Sequence, residues 1–178
     1  MNMTVIDEER LGEGREELLS LPLKTGVGQE RTLPVRAGQT LLAIVEVIAA
    51  ERGCAVEELI IIREGAELPL DPGTVVDHDY PHHRRHHVHH RAQVRVDIYY
   101  GAGSKHHSFN RHATVEAVLD WAIGAFTIDP TAAPDFALAT HGTTTEVPPA
   151  EHLGHLAGHH HELAFDLVRG ALVNGSAG

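Results

Sequence analysis

The chain carries one segment twice. TLLAIVEVIA (Thr40–Ala49) lies over TVEAVLDWAI (Thr114–Ile123) at an offset of 74, with Thr on Thr, Ala43 on Ala117 and Glu46 on Asp120. LIIIREG (Leu59–Gly65) lies over FALATHG (Phe136–Gly142) at an offset of 77. That second offset also sets His82 and His83 on His159 and His160, and Val88 on Phe165. Self-similarity at a fixed spacing marks one folding unit present in two copies. Two copies of about 75 residues explain a 178-residue chain better than one irregular domain does.

Each copy follows the same order of elements. In the first, Leu19, Leu21 and Leu23 alternate with polar residues and Pro22, and Gly26-Val27-Gly28-Gln29 turns the chain into a second strand, Arg31–Val35. Pro22 and Pro34 lack a donor, so sheet edges or strand ends are expected there. Thr40 is the expected N-cap of a helix carrying Leu41, Ile44, Val45 and Ile48, which Gly53 ends. Leu59–Ile62 reads as a buried strand, Glu67–Leu70 as a short segment, Asp71-Pro72-Gly73 as a turn, and His82–His90 as a last strand around Val88.

The second copy pairs Val94–Tyr100 with Lys105–Asn110 across Gly101–Ser104. Thr114 then caps a helix with Val115, Val118, Leu119, Ala122 and Ile123. Phe136–Ala139 and Leu163–Val168 are its later strands, with Leu153 and Leu156 as anchors between them. Expected boundaries are a polar arm (1–17), a first domain (18–92), a second domain (93–169) and a tail (170–178).

Composition narrows the function classes. Net charge is −11, with 25 Asp and Glu against 14 Lys and Arg, so phosphate-backbone binding is disfavoured and no nucleic acid is expected. The longest apolar run, Leu41–Ala50, is too short to span a membrane, and the N-terminus reads without an export signal. A single cysteine, Cys54, fits a reducing cytoplasm and reads as structural. No phosphate-binding glycine loop or nucleophile-elbow pattern occurs, so no catalytic residue is assigned and the chain reads as a non-enzyme.

The two-strand, one-helix, further-strand order is that of a β-grasp fold, an α+β class with the helix against the sheet. Here ELAFDLVRG (Glu162–Gly170) resembles the last strand and Arg-Gly exit of ubiquitin-like modifiers. Two such domains in tandem (ββαββ twice) resemble the bacterial tandem ubiquitin-like modifiers of the antiphage Bil systems. The resemblance implies adenylation of a terminal glycine carboxylate by a ubiquitin-activating-like enzyme. Transfer through a ubiquitin-conjugating-like enzyme and an isopeptide bond to target proteins would follow, with phage structural proteins among the targets. A JAB-type zinc metallopeptidase would trim or remove the modifier.

There is no Gly-Gly pair, so the reactive terminus is open. Gly170 after Arg169 is favoured, with Ala171–Gly178 as a removed extension; Gly178 without trimming is second and Gly175 third. Leu167 and Val168 are expected to present the tail. The alternatives are a non-conjugated β-grasp adaptor and a His-rich metal-binding protein.

Sixteen histidines stand out, chiefly in PHHRRHHVHH (Pro81–His90) and HLGHLAGHHHEL (His152–Leu163). The expected reading is a polar strand-and-loop surface, and no metal or cofactor is assigned, since such tracts bind transition metals adventitiously. On a strand His86, Val88 and His90 share one face and His87 and His89 the other. His86 and His90 fall where the second copy has Leu163 and Leu167, so these two are expected to help fix the interdomain angle.

Overall fold

The computed structural model describes residues 16–170. The arm up to residue 15 and the segment Ala171–Gly178 lie outside the described residues.

Two four-stranded sheets form with the same connectivity. The first comprises β1 (Leu18–Gly26), β2 (Gln29–Arg36), β3 (Leu59–Arg63) and β4 (His86–His90), in the order β2-β1-β4-β3. The second comprises β5 (Val94–Tyr100), β6 (Gly103–Phe109), β7 (Phe136–Thr140) and β8 (Glu162–Arg169), in the order β6-β5-β8-β7. In each, the first and last strands run parallel at the centre, flanked by antiparallel hairpin and return strands. The repeat in the sequence is thus a repeat of β-grasp topology.

One helix packs on each sheet. α1 (Leu42–Arg52) buries Ile44, Val45, Ile48 and Ala49, and α2 (Val115–Ala125) buries Val115, Val118, Ala122 and Ile123. Both sets recur at three- and four-residue spacing, so one stripe of each helix meets the sheet. Opposite α1 lie Leu19, Leu21, Leu23, Ile61 and Val88; opposite α2 lie Val96, Ile98, Leu138, Phe165 and Leu167. Each such side chain contributes about 1.5–3 kcal/mol on burial, so every unit has its own core.

Several local expectations need correction. Thr114 does cap α2, its Oγ1 accepting from the Ala117 N–H at 3.3 Å. Thr40 does not cap α1; Leu41 occupies the cap position without a side-chain bond, and Thr40 is held in a bridge to Val75. Glu67–Leu70 forms no strand, because only Leu70 reaches across, to the Ile61 carbonyl at 2.8 Å. Pro22 lies in the central strand β1. It is tolerated because the parallel ladder to β4 begins only at Leu23, leaving β1 one-sided at Pro22.

α3 (Leu153–Ala157) is a single short helix where the sequence offered only two apolar anchors. It packs against β1 and β4 of the first unit as well as β5 and β8 of its own. Through it the two units meet.

Candidate functional site

The face of β4 turned from its own core carries His87 and His89. Their cross-strand partners, Ile62 and Ile60, share that face and are also buried. The run Leu59–Ile62 is apolar on both faces because α1 covers one and the second unit shields the other.

α3 brings two more imidazoles to that face. His152 sits at its N-terminal cap, backbone-bridged to Thr114, and His155 follows one turn later. Residues at i and i+3 share a helix face, just as i and i+2 share a strand face. The four rings therefore converge from two rigid elements. His87 Nδ1 lies 3.0 Å from His155 Nε2, and His89 Nε2 lies 2.8 Å from His152 Nδ1. His87 stacks on His152 with centroids 4.0 Å apart, and His89 lies 4.3 Å from His155.

The sequence reading of these tracts as polar surface holds for His83 and His159–His161, which are exposed, but fails for His87 and His89, which are 4% and 2% exposed, and for buried His155. The assignment of the interdomain angle to His86 and His90 is likewise corrected. His86 faces the first core, where Tyr80 Oη lies 2.6 Å from its Nε2, and His90 is half-buried on the same side. Strand alternation was read correctly, but which face meets the other domain depends on where α3 docks. The i, i+3 spacing of His152 and His155 was the available signal.

Burial dominates the electrostatics. It pushes His87 down to about 2, His155 to about 3 and His152 to about 4, and holds His89 well below the ordinary histidine value. The neighbouring imidazoles add to this for His87, His89 and His155, while Glu151 opposes it for His152. The rings are therefore neutral at pH 7.

Charged groups frame the cluster. Lys24 Nζ of β1 meets Glu151 at 2.9 and 3.1 Å across the interface. Buried Arg111 donates to the carbonyls of Ala92, Gly158 and His160 at 3.1, 3.0 and 2.7 Å, tying the linker to the segment after α3. Arg52 donates to the Thr25 and Val88 carbonyls. These arginines line a cleft of about 400 Å³ whose wall includes His89 and His155. Cys54, Glu58 and His90 form a second, more open group at the first unit.

At the other end of the second unit β8 closes the sheet. Leu167 is a core residue opposite Leu138, Val168 is half-buried opposite Ala137, and Arg169 is exposed with its guanidinium 5.6 Å from the Phe136 ring centre. The Gly170 N–H, at the end of the described residues, donates to the Asp135 carbonyl at 2.8 Å. Ala171 and Gly178 lie outside the described residues.

Residues 95–170 match the model of a family described as BilA ubiquitin-like domain 2. Among solved structures, the ubiquitin of Caldiarchaeum subterraneum aligns with 18% identity and a TM-score of 0.36, over 46% of this chain and 99% of that one. A chain of a pParkin-pUb-UbcH7 complex aligns with 22% identity and a TM-score of 0.35, over 43% of this chain and 25% of that one. A search of curated proteins returns no match. The second repeat of this chain is thus similar to BilA ubiquitin-like domain 2, and it is preceded by a first repeat with the same strand order.

Proposed function

We propose that the chain is a ubiquitin-like protein modifier, joined to target proteins through a C-terminal glycine. The observation that carries this reading is the coincidence of two ends: the β8 ladder stops at Arg169, next to Gly170, and the family match closes at residue 170. A glycine just past an anchored strand suits entry into a narrow active site, because it has no Cβ to clash.

The chemistry belongs to its partners. An activating enzyme would join the glycine carboxylate to the adenylate of ATP with loss of pyrophosphate. A cysteine thiolate then displaces AMP, and a target amine displaces the thiolate to leave an amide. A metallopeptidase acting after Gly170 would release Ala171–Gly178 and expose the carboxylate. A bacterial antiphage setting is part of this proposal, and the similarity of residues 95–170 to BilA ubiquitin-like domain 2 supports it.

An adaptor that is never conjugated is the competing reading. The exposed Tyr99, stacked at 4.2 Å on His141, would offer such an adaptor a contact on the outer sheet face. The deciding experiment is the intact mass of the full chain after co-expression with the activating enzyme and peptidase of its own genome. Loss of residues 171–178, or a covalent adduct on a second protein, supports the modifier and names its glycine. Unchanged mass without adducts supports the adaptor.

A further inference from the structure

We propose that His87, His89, His152 and His155 form a binding site for one zinc-class divalent transition-metal ion that joins the two domains. Each residue brings one ring nitrogen into a set in which all four lie within 4.8 Å of one another. A tetrahedral zinc ion with bonds of about 2.0–2.1 Å holds its ligand nitrogens about 3.3 Å apart. The two ring-to-ring contacts, at 3.0 and 2.8 Å, lie just inside that spacing, and every other separation in the set is bounded by 4.8 Å. Seating an ion would spread the close pairs and draw the two pairs together, by side-chain movement alone.

The ordinary fate of a buried histidine is a hydrogen bond to a carboxylate or carbonyl. Here His87 meets His155 and His89 meets His152 ring to ring, and His87 Nε2 is buried with no hydrogen-bond partner among the described residues. In each pair one shared proton sits between two nitrogens. With an ion seated, the shared proton of each pair shifts to the far nitrogen of the ring that held it, so every ring stays neutral and all four facing lone pairs coordinate.

The donor set selects the class of metal. Neutral imidazoles suit zinc, copper(II) and nickel, and offer nothing to calcium or magnesium, which take oxygen ligands. Four protein ligands close the coordination shell, so the ion would be structural and leave no position for substrate. Two ligands come from each domain, which makes the ion a cross-link. The cleft reaching His89 and His155 provides a path of entry. An all-imidazole set brings no negative charge, and Glu151, next to His152, is already paired with Lys24, so a bound ion would keep its charge.

The test is zinc titration of the full, chelator-treated chain by calorimetry, with native mass spectrometry for stoichiometry. The comparison is between His152→Ala and a control, His82→Ala with His83→Ala, where His82 is half-buried, His83 is exposed and neither ring belongs to the cluster. The expected result is one tight zinc per chain, weakened at least about 100-fold in His152→Ala, since changes to outer-shell groups alone cost 10–100-fold. The control should match the parent. Circular dichroism checks that His152→Ala is folded.

Cobalt(II) loading of the unaltered chain gives a second readout that needs no variant. An intense visible spectrum of tetrahedral cobalt, bleached by one equivalent of zinc, supports the site. Equal uptake by parent and folded His152→Ala, absence of a tight ion, or a weak octahedral cobalt spectrum overturns it. The cluster would then be a dry stack of hydrogen-bonded rings.

Discussion

His89 Nε2 stands 2.8 Å from His152 Nδ1, and the two residues are 63 positions apart in the chain. This contact joins the last strand of one β-grasp unit to the cap of a short helix in the next. The two units consequently share a buried polar seam, in which each ring depends on the other domain for its partner. Removing either domain would expose or orphan the rings of the other.

Close approach at that seam requires Gly154. A Cβ there would run into the His89 ring and stand 2.8 Å from Arg111 Cβ and 3.0 Å from the Arg111 carbonyl oxygen. Gly154→Ala is expected to cost about 1–3 kcal/mol through overpacking. Gly124→Ala in α2, where a Cβ meets nothing within 4 Å, should instead stabilise by roughly 0.5–1 kcal/mol. Urea denaturation of both variants checks the pair.

The interdomain ion pair should act as a pair. Lys24 and Glu151 are only 13% and 12% exposed, so Glu151→Ala leaves a poorly hydrated ammonium at the interface. The expected loss is about 1–3 kcal/mol, larger than for the surface pair Arg31–Glu51. Lys24→Met combined with Glu151→Leu should recover most of it. A double-mutant cycle in urea measures the coupling.

Acid should destabilise the fold over a defined window. Burial pushes His86 down to about 4, with the Arg63 charge adding to it and the Arg84 backbone opposing. Above the unfolded value of 6.5 both states are neutral there and no effect arises. Between 6.5 and 4 the unfolded chain binds the proton and the folded chain does not, so stability falls as pH falls. Below 4 both states are charged and the slope vanishes. Each such histidine adds at most about 1.4 kcal/mol per pH unit. Urea midpoints measured from pH 7.5 to 4.5 should show the decline, less steep in His86→Leu.

Metal linkage offers a stability readout of the four-histidine site. Zinc at 100 times its dissociation constant should raise the unfolding free energy by about 2.7 kcal/mol, and a chelator should reverse it. The increment should disappear in His152→Ala and persist in His82→Ala with His83→Ala. Thermal unfolding with and without zinc measures it.

Conjugation should depend on the last glycine of the fold. A chain ending at Gly170 is expected to form adducts with the activating and conjugating enzymes without needing the peptidase. Gly170→Ala in that chain should reduce adduct formation, as seen by intact mass and gel shift. Full activity of Gly170→Ala in the complete chain, together with loss on deleting Gly178, would move the chemistry to Gly178.

The repeat, the helix stripes and the alternation of Leu19, Leu21 and Leu23 were legible in the sequence because they are local. Periods of 3.6 and 2 follow from backbone geometry, and each unit's core is filled by residues that alternate toward it. The chain also declared that His87 and His89 share one strand face. It could not declare that this face is buried. That depends on α3 of the second unit docking against β1 and β4, through the Lys24–Glu151 pair and the His89–His152 contact, across more than 60 residues of chain. Sequence determined the two folds and the spacing of the imidazoles; tertiary docking decided that four of them meet, because burial and convergence are properties of the space between the domains.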